Sequence, residues 1–178
     1  MIILVGPSAS GKTEICKYLC SHYGFKKFIT TTTRQMRKNE IDDVDYHFVD
    51  IKTFLEMEQN HEFIETTKYN NNYYGTEKRK IGDDIVLIIE PHGFLVFKKI
   101  NNPTIISFFL KCDEEILHQR MILRGDKPLD IKRRLINDKK EFNEKIEKAT
   151  DFVIDSSHES IKALGDKIYK IYKNKLNK

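Results

Sequence analysis

The chain opens with an apolar strand that runs directly into a glycine-rich loop, and this feature constrains its fold most. Residues 1–5 are all apolar, and residues 6–13 read GPSASGKT, which matches the P-loop pattern G-x-x-x-x-G-K-[ST]. In such a loop, between a buried parallel strand and a helix, the backbone N–H groups form an anion-binding nest. We therefore expect it to bind a nucleoside triphosphate, with Lys12 reaching the β/γ-phosphates and the Thr13 hydroxyl ligating Mg²⁺. The predicted ATP-binding residues here are Gly6, Pro7, Ser8, Ala9, Ser10, Gly11, Lys12 and Thr13.

Strands and helices are predicted to alternate along most of the chain, which favours an α/β fold with a parallel sheet between helices. Strands are predicted at 1–5, 85–89, 104–110 and 152–154. A helix is predicted at 12–23, and another begins near Asp113, whose carboxylate can cap it. Ser156 and Glu159 have the spacing of a capping box for the last helix. That helix has one apolar face, formed by Ile161, Leu164, Ile168, Ile171 and Tyr172.

The composition fits one cytoplasmic globular domain that takes a small ligand. The 178 residues are 39% apolar and 33% charged, and no apolar run approaches the ~20 residues of a membrane span. The first predicted strand starts at the first residue, so we expect no targeting segment and no membrane partner. Cys16 and Cys20 lack the spacing of a redox pair or a zinc set and are expected to be reduced. The net charge of +4 comes from interleaved acids and bases, which favours a small phosphorylated ligand over nucleic acid.

Two segments interrupt the alternation of strands and helices. Residues 30–76 contain short alternating stretches with polar turns and are predicted to form a small β-rich insertion. Residues 124–134 are basic, contain Gly and Pro, and are predicted to form a mobile lid. We therefore expect a single domain, 1–178, with a core of residues 1–29, 77–123 and 135–178.

Motifs within the insertion give the chain a resemblance to the guanylate kinase family. After the P-loop come Thr32-Thr33-Arg34 with Arg37, then Asp45-Tyr46-His47-Phe48, Phe63-Ile64-Glu65 and Tyr74-Gly75-Thr76, in the order and spacing of that family. The resemblance covers nearly the whole chain. It implies a P-loop three-layer α/β sandwich with a parallel core sheet, a GMP-binding insertion at 30–76 and a short lid at 124–134.

The resemblance also implies a role for each matched residue of the insertion. Guanidinium groups and tyrosine hydroxyls suit the phosphate of GMP. A carboxylate at position 65 can accept hydrogen bonds from the guanine N1–H and 2-amino group, which adenine cannot offer. The implied GMP-binding residues are Thr30, Arg34, Arg37, Tyr46, Glu65, Tyr74, Thr76 and Glu90.

The implied reaction is ATP + GMP ⇌ ADP + GDP with Mg²⁺, and with dGMP as a second acceptor. Positioning and charge neutralisation perform most of such a transfer. Arg120 and Arg124 are four residues apart on one predicted helix face, and Arg134 follows the lid. The implied catalytic residues are Lys12, Arg34, Arg120, Arg124 and Arg134, with Arg120 and Arg124 also binding ATP. A monomer and a homodimer are both compatible with the sequence.

The chain departs from the family pattern after its second core strand. Where the family has Asp-x-Asp/Glu-x-Gln-Gly, this chain has Ile88, Glu90, His92 and Gly93, and Ser156 stands where Asn is frequent. This leaves open a kinase of the same fold that uses another phosphorylated acceptor. A second alternative is a peptide-binding module of the same fold without catalysis, against which the intact Lys12 and Thr13 argue.

Overall fold

The computed structural model describes residues 1–177 and has a mixed α/β architecture with two sheets. The strands are β1 (Ile2–Val5), β2 (Lys26–Lys27), β3 (Thr31–Thr32), β4 (His47–Phe48), β5 (Phe63–Tyr69), β6 (Asn72–Glu77), β7 (Ile85–Ile88), β8 (Ile106–Lys111) and β9 (Phe152–Asp155). The helices are α1 (Lys12–Tyr23), α2 (Ile51–Gln59), α3 (Pro91–Lys99), α4 (Glu114–Leu123), α5 (Pro128–Glu141), α6 (Glu144–Ala149) and α7 (Ile161–Leu176). None of the helices within residues 1–177 is long and apolar enough to cross a membrane.

The core sheet is wholly parallel, with strand order β2-β7-β1-β8-β9. Alternation along β1 divides the core into two faces, because successive strand side chains point in opposite directions. Ile2 and Leu4 pack against α1 and α7, whereas Ile3 and Val5 pack against α3. Helices therefore cover both faces, which confirms the predicted three-layer α/β sandwich.

The second sheet has the order β4-β3-β6-β5 and lies within residues 31–77. Its strands β5 and β6 form an antiparallel hairpin, and β4 pairs with β3 in parallel. This agrees with the β-rich character predicted for residues 30–76, but the same segment also contains α2. Asp50 caps α2, and Phe54 is its one buried side chain, stacked on Phe63. A single buried position in nine residues gives too weak a helical period to be predicted.

The start of one predicted strand and two predicted helix caps were wrong. The strand predicted from residue 104 begins at Ile106. Asp113 is at the N-cap position of α4, but its side chain makes no capping hydrogen bond. The proposed capping box is wrong as well, because Ser160 caps α7 by accepting from the Ala163 N–H at 3.2 Å. Ser156 is instead buried, and its hydroxyl donates to the Lys111 carbonyl at 3.0 Å.

The basic segment 124–134 is more helical than a loop. Helix α4 ends at Leu123, a short turn follows, and α5 begins at Pro128. Proline is well suited to the first turn of a helix because its missing N–H has no intrahelical partner there. The segment therefore consists of a four-residue turn and the first half of α5.

Candidate active site

The predicted site residues gather at the carboxyl edge of the core sheet, where ligands bind in open α/β folds. The phosphate loop follows β1 there, and Glu90 follows β7. The second sheet contributes the opposite wall. One pocket is lined by Thr30, Tyr46, Glu65, Thr67, Tyr74, Gly75, Thr76, Ile88, Ile89 and Glu90. Six predicted acceptor residues are thus brought together.

The phosphate loop has the geometry that its glycines predict. Gly11 precedes α1 with a φ of +97°, a left-handed backbone conformation that residues with a Cβ rarely adopt. The Lys12 ammonium donates to the carbonyls of Gly6 and Pro7, at 2.5 and 2.8 Å. Burial lowers the pKa of Lys12, and the charges of nearby Glu90 and Asp138 oppose that shift. Thr13 is exposed on the first turn of α1.

Glu40 joins the two arginines predicted to hold the acceptor phosphate. Its Oε1 accepts from Arg34 at 2.7 Å and from Arg37 at 3.3 Å, and its Oε2 accepts from the Arg37 N–H at 2.8 Å. Burial alone would raise the pKa of Glu40, but these hydrogen bonds hold it below its ordinary value. Arg34 is 8% exposed. The carboxylate thus fixes both guanidinium groups and partly neutralises them.

Aromatic rings pack beside Arg34 in this part of the site. The Arg34 guanidinium lies over the rings of Tyr46 and Phe48, 5.3 and 5.5 Å from their centroids. The Tyr46 and Tyr74 rings meet edge to face at 6.2 Å. Burial raises the pKa of both tyrosines, so their hydroxyls remain protonated donors.

Glu65 is a buried carboxylate with one oxygen unused. It is 7% exposed, and its Oε1 accepts from the Thr76 hydroxyl at 2.6 Å. Its Oε2 is buried and has no hydrogen-bond partner among the described residues. Burial raises the pKa of Glu65 from 4.5 to about 7. A Cβ on Gly93 would lie 2.5 Å from this Oε2, so glycine at 93 makes room for the carboxylate.

Glu90 is the second acid of the pocket and is half-buried, with its Oε2 atom fully enclosed. It occupies the N-cap position of α3, but its side chain makes no capping bond there, and its Oε2 has no partner within the described chain. Burial raises the pKa of Glu90, and the positive charges of Lys12 and Arg134 oppose that shift. The two acids therefore approach the pocket from different sheets.

The three other predicted arginines differ in their surroundings. Arg120 contacts backbone oxygens: it donates to Ala9 in the phosphate loop at 3.3 Å and to Ser156 and Ser157, after β9, at 2.8 and 3.2 Å. Arg124 pairs with Asp126 on the turn. Arg134 is half-buried, and its Nε has no partner among residues 1–177. The neighbouring Arg133 is exposed and pairs with Asp130.

Sequence reasoning missed three residues of this site. Glu40 could have been found, since it is an acid three residues after Arg37 in a basic stretch. Asp138 and Tyr69 gave no signal. The Asp138 carboxylate accepts from the Ser8 N–H in the phosphate loop and from the Tyr69 hydroxyl. Ser8, Tyr69 and Asp138 are far apart in sequence, so only the tertiary fold brings them into contact.

The two departures after the second core strand lie differently with respect to the pocket. Ile88 is half-buried and lines it, so an apolar side chain stands beside Glu65 and Glu90. His92 is exposed on α3 and is not among the pocket-lining residues.

Comparison with known proteins gives consistent matches. A family model described as guanylate kinase matches residues 1–171. Guanylate kinase from Helicobacter pylori is 32% identical over 198 aligned positions, which cover 98% of this chain and 96% of the relative. Guanylate kinase from Clostridium perfringens is 34% identical, covering 80% of this chain and 70% of the relative. The crystal structure of guanylate kinase from Anaplasma phagocytophilum matches with a TM-score of 0.78 at 25% identity, covering all of this chain and 86% of that one.

Proposed function

Because the chain belongs to the guanylate kinase family and phosphorylates GMP with ATP, we propose that it does so with the residues gathered at the carboxyl edge of the core sheet. The observation that carries this proposal is Glu65. A buried carboxylate with a free oxygen destabilises the protein unless a ligand uses that oxygen. Guanine can supply two donors to it, from N1–H and the 2-amino group. Adenine would leave the carboxylate unpaired.

The acceptor half of the proposed site holds GMP by its base and its phosphate. Glu65, Thr30 and Thr76 read the guanine, and Glu90 lies at the same pocket wall. Arg34, Arg37, Tyr46 and Tyr74 hold the phosphate. Guanidinium forks bind phosphate oxygens bidentately, and Glu40 already orients both forks. The same pocket is expected to accept dGMP.

The donor half is formed by the phosphate loop and by three arginines, on α4, on the turn that follows it and on α5. The backbone N–H groups of residues 6–13 cradle the phosphates, and Lys12 moves from the loop carbonyls to the β/γ-phosphates when ATP binds. Arg120 already contacts the loop. Arg124 approaches the transferred group from the turn after α4, and Arg134 approaches it from α5. These side chains align the two phosphates and neutralise charge in the transition state.

The side-chain oxygen atoms near the phosphate loop are suitable ligands for Mg²⁺. Mg²⁺ prefers oxygen ligands, keeps several waters and is bound through few protein groups together with substrate phosphates. The exposed Thr13 hydroxyl beside Lys12 offers one such oxygen, and buried Glu90 Oε2 has no partner among the described residues. When bound, Mg²⁺ would neutralise negative charge on the β- and γ-phosphates. Thr13 would hold it.

The remaining expectations are part of this proposal. The chain comprises a core of residues 1–29, 77–123 and 135–178, an insertion at 30–76 and a lid at 124–134 that closes to exclude water. Its partners are ATP, GMP and dGMP, with no nucleic acid. It acts in the cytoplasm as a monomer or a homodimer.

Substitution at Glu65 tests the assignment of the base-reading carboxylate. Glu65→Ala is expected to reduce kcat/KM for GMP by on the order of 100-fold, because guanine donors lose a buried charged acceptor. The preference for GMP over AMP falls by a similar factor, while ATP binding is retained. Glu62→Ala, which removes an exposed acid just before β5, is the matched control. An unchanged GMP-over-AMP preference in Glu65→Ala would contradict the assignment.

A further inference from the structure

Asp138, on α5, is a buried carboxylate in contact with the phosphate loop. It is 3% exposed. Its Oδ2 accepts from the Ser8 N–H at 2.6 Å, and its Oδ1 accepts from the Tyr69 hydroxyl. Both carboxylate oxygens are thus engaged, one by the donor loop and the other by the end of β5 in the second sheet.

The Ser8 N–H belongs to the set of loop amides that cradle phosphate. The Asp138 carboxylate therefore accepts a hydrogen bond from an amide that would otherwise donate to a phosphate oxygen. One N–H donor cannot serve a carboxylate and a phosphate oxygen at full strength at the same time. Asp138 and a bound nucleotide therefore compete for this amide.

The charged groups around Asp138 would not stabilise its carboxylate next to a bound polyphosphate. Burial raises the pKa of Asp138, and the Ser8 hydrogen bond and the Lys12 charge oppose that shift. Glu141, one turn further along α5, adds to the negative charge, and Tyr69 is the other polar neighbour. Lys12 is the one cation in this set. When Lys12 turns to the nucleotide phosphates, Asp138 loses the charge that compensates it.

We propose that Asp138 occupies the Ser8 amide in the nucleotide-free protein as an internal stand-in for a phosphate oxygen, and that the phosphates of ATP displace it. This inference rests on the proposed role of the phosphate loop as the ATP site. Displacement also affects Tyr69, since the same carboxylate holds both groups. Beside it, the Asn137 amide donates to Asn70 Oδ1 at 2.5 Å, so α5 holds the tip of the β5–β6 hairpin at two points. ATP binding would thereby remove one of these two contacts between α5 and the second sheet.

The opposite role for Asp138 makes the opposite prediction. If the carboxylate served to order the loop for ATP, removing its charge would weaken ATP binding. If it competes with ATP, removing its charge strengthens binding, because the amide is no longer engaged by an anion. The sign of one affinity change therefore separates the two roles.

The experiment measures the Kd of ATP and of inorganic tripolyphosphate by calorimetry, without GMP. Asp138→Asn, which keeps the side-chain shape, is expected to lower both Kd values by on the order of tenfold. Glu141→Gln, which removes an exposed negative charge from the same helix, is the matched control and is expected to change them less than twofold. Unchanged or weaker binding of either probe to Asp138→Asn would overturn the inference. A wild-type protein that binds neither probe would instead contradict the proposed donor site.

Tyr69→Phe provides a second variant if Asp138→Asn does not fold. It removes the bond to Oδ1 and so loosens the hold on Asp138 without removing a charge. The Kd of tripolyphosphate is expected to fall by about twofold or more, in the same direction as in Asp138→Asn. A Kd that is unchanged or higher in Tyr69→Phe would count against displacement.

Discussion

At the scale of single residues, the site contains polar groups that the folded chain leaves unsatisfied. Glu65 and Glu90 each have a buried carboxylate oxygen without a hydrogen-bond partner among the described residues. The buried Nε of Arg134 also has no partner there. Such groups cost free energy in the folded protein unless a ligand satisfies them. Glu65 and Glu90 line the same pocket, which fits a site whose polar partners arrive with the substrates.

The raised pKa of Glu65 predicts a pH dependence of GMP binding. Only the ionised carboxylate can accept from both guanine donors, and burial places the pKa of Glu65 at about 7. As the pH falls from 8 to 6, GMP affinity should therefore fall by about tenfold more in wild type than in Glu65→Gln. The phosphate of GMP titrates identically with both proteins, so calorimetric Kd values across this range isolate the carboxylate.

The same shift predicts the pH dependence of stability in the nucleotide-free protein. The pKa of Glu65 is about 7 when folded and near 4.5 when unfolded, so between these values the folded state holds more protons. The free energy of unfolding should then fall as the pH rises from 4.5 through 7, relative to Glu65→Gln. Parallel pH profiles for the two proteins, in either binding or unfolding, would contradict the shifted pKa.

At the scale of elements, helix α4 links the donor loop to the segment after β9. Its Arg120 reaches Ala9 on one side and Ser156 and Ser157 on the other. One guanidinium thus donates hydrogen bonds to three backbone carbonyls in two segments, which is possible because the group carries several N–H donors in one plane. A phosphate loop held in this way is preorganised for the nucleotide.

The cap of α7 predicts where the last helix is sensitive to substitution. Ser160→Ala removes the side chain that accepts from the Ala163 N–H and should lower the free energy of unfolding by about 1 kcal/mol. Glu159→Ala removes only an exposed ion pair with Lys167 and should change it by less than about 0.5 kcal/mol. Urea unfolding of both variants is the measurement. A larger loss in Glu159→Ala than in Ser160→Ala would support the capping box inferred from sequence.

Elements with a strong period could be predicted from sequence, and those held by tertiary contacts could not. The strand 1–5 and the helix 12–23 were confirmed because one is uniformly apolar and the other has an apolar face. Helix α2 was missed since only Phe54 is buried. Ser156 was misjudged as a cap because its environment, a buried contact with the Lys111 carbonyl, depends on β8.

The residues of the candidate site also fall into those that local sequence motifs predict and those that only tertiary contacts define. The phosphate loop and Glu65 were predicted because each lies in a local motif with a definite chemistry. Glu40 was within reach of sequence reasoning but was missed. Asp138 was not, because its bonds to Ser8 and Tyr69 span 130 and 69 residues of sequence.

At the scale of the whole molecule, the proposed site draws the two halves of one reaction from two sheets. The parallel core sheet carries the phosphate loop and Glu90, and the mixed sheet carries Glu65, Tyr74 and Thr76. The proposed donor half adds Arg120 of α4, Arg124 of the turn after α4 and Arg134 of α5. This arrangement predicts an enzyme that is specific for its acceptor through the mixed sheet and for its donor phosphates through the core.

The proposed function is tested most directly by a coupled assay of ADP release with ATP, Mg²⁺ and a panel of GMP, dGMP, AMP, CMP and UMP. We expect rapid turnover with GMP, turnover with dGMP, and at least about 100-fold lower kcat/KM with the other three, because only guanine satisfies Glu65. Lys12→Ala, which removes the phosphate-loop cation, is the control for activity that belongs to this site. No activity with GMP, or equal activity with AMP, would contradict the proposed function.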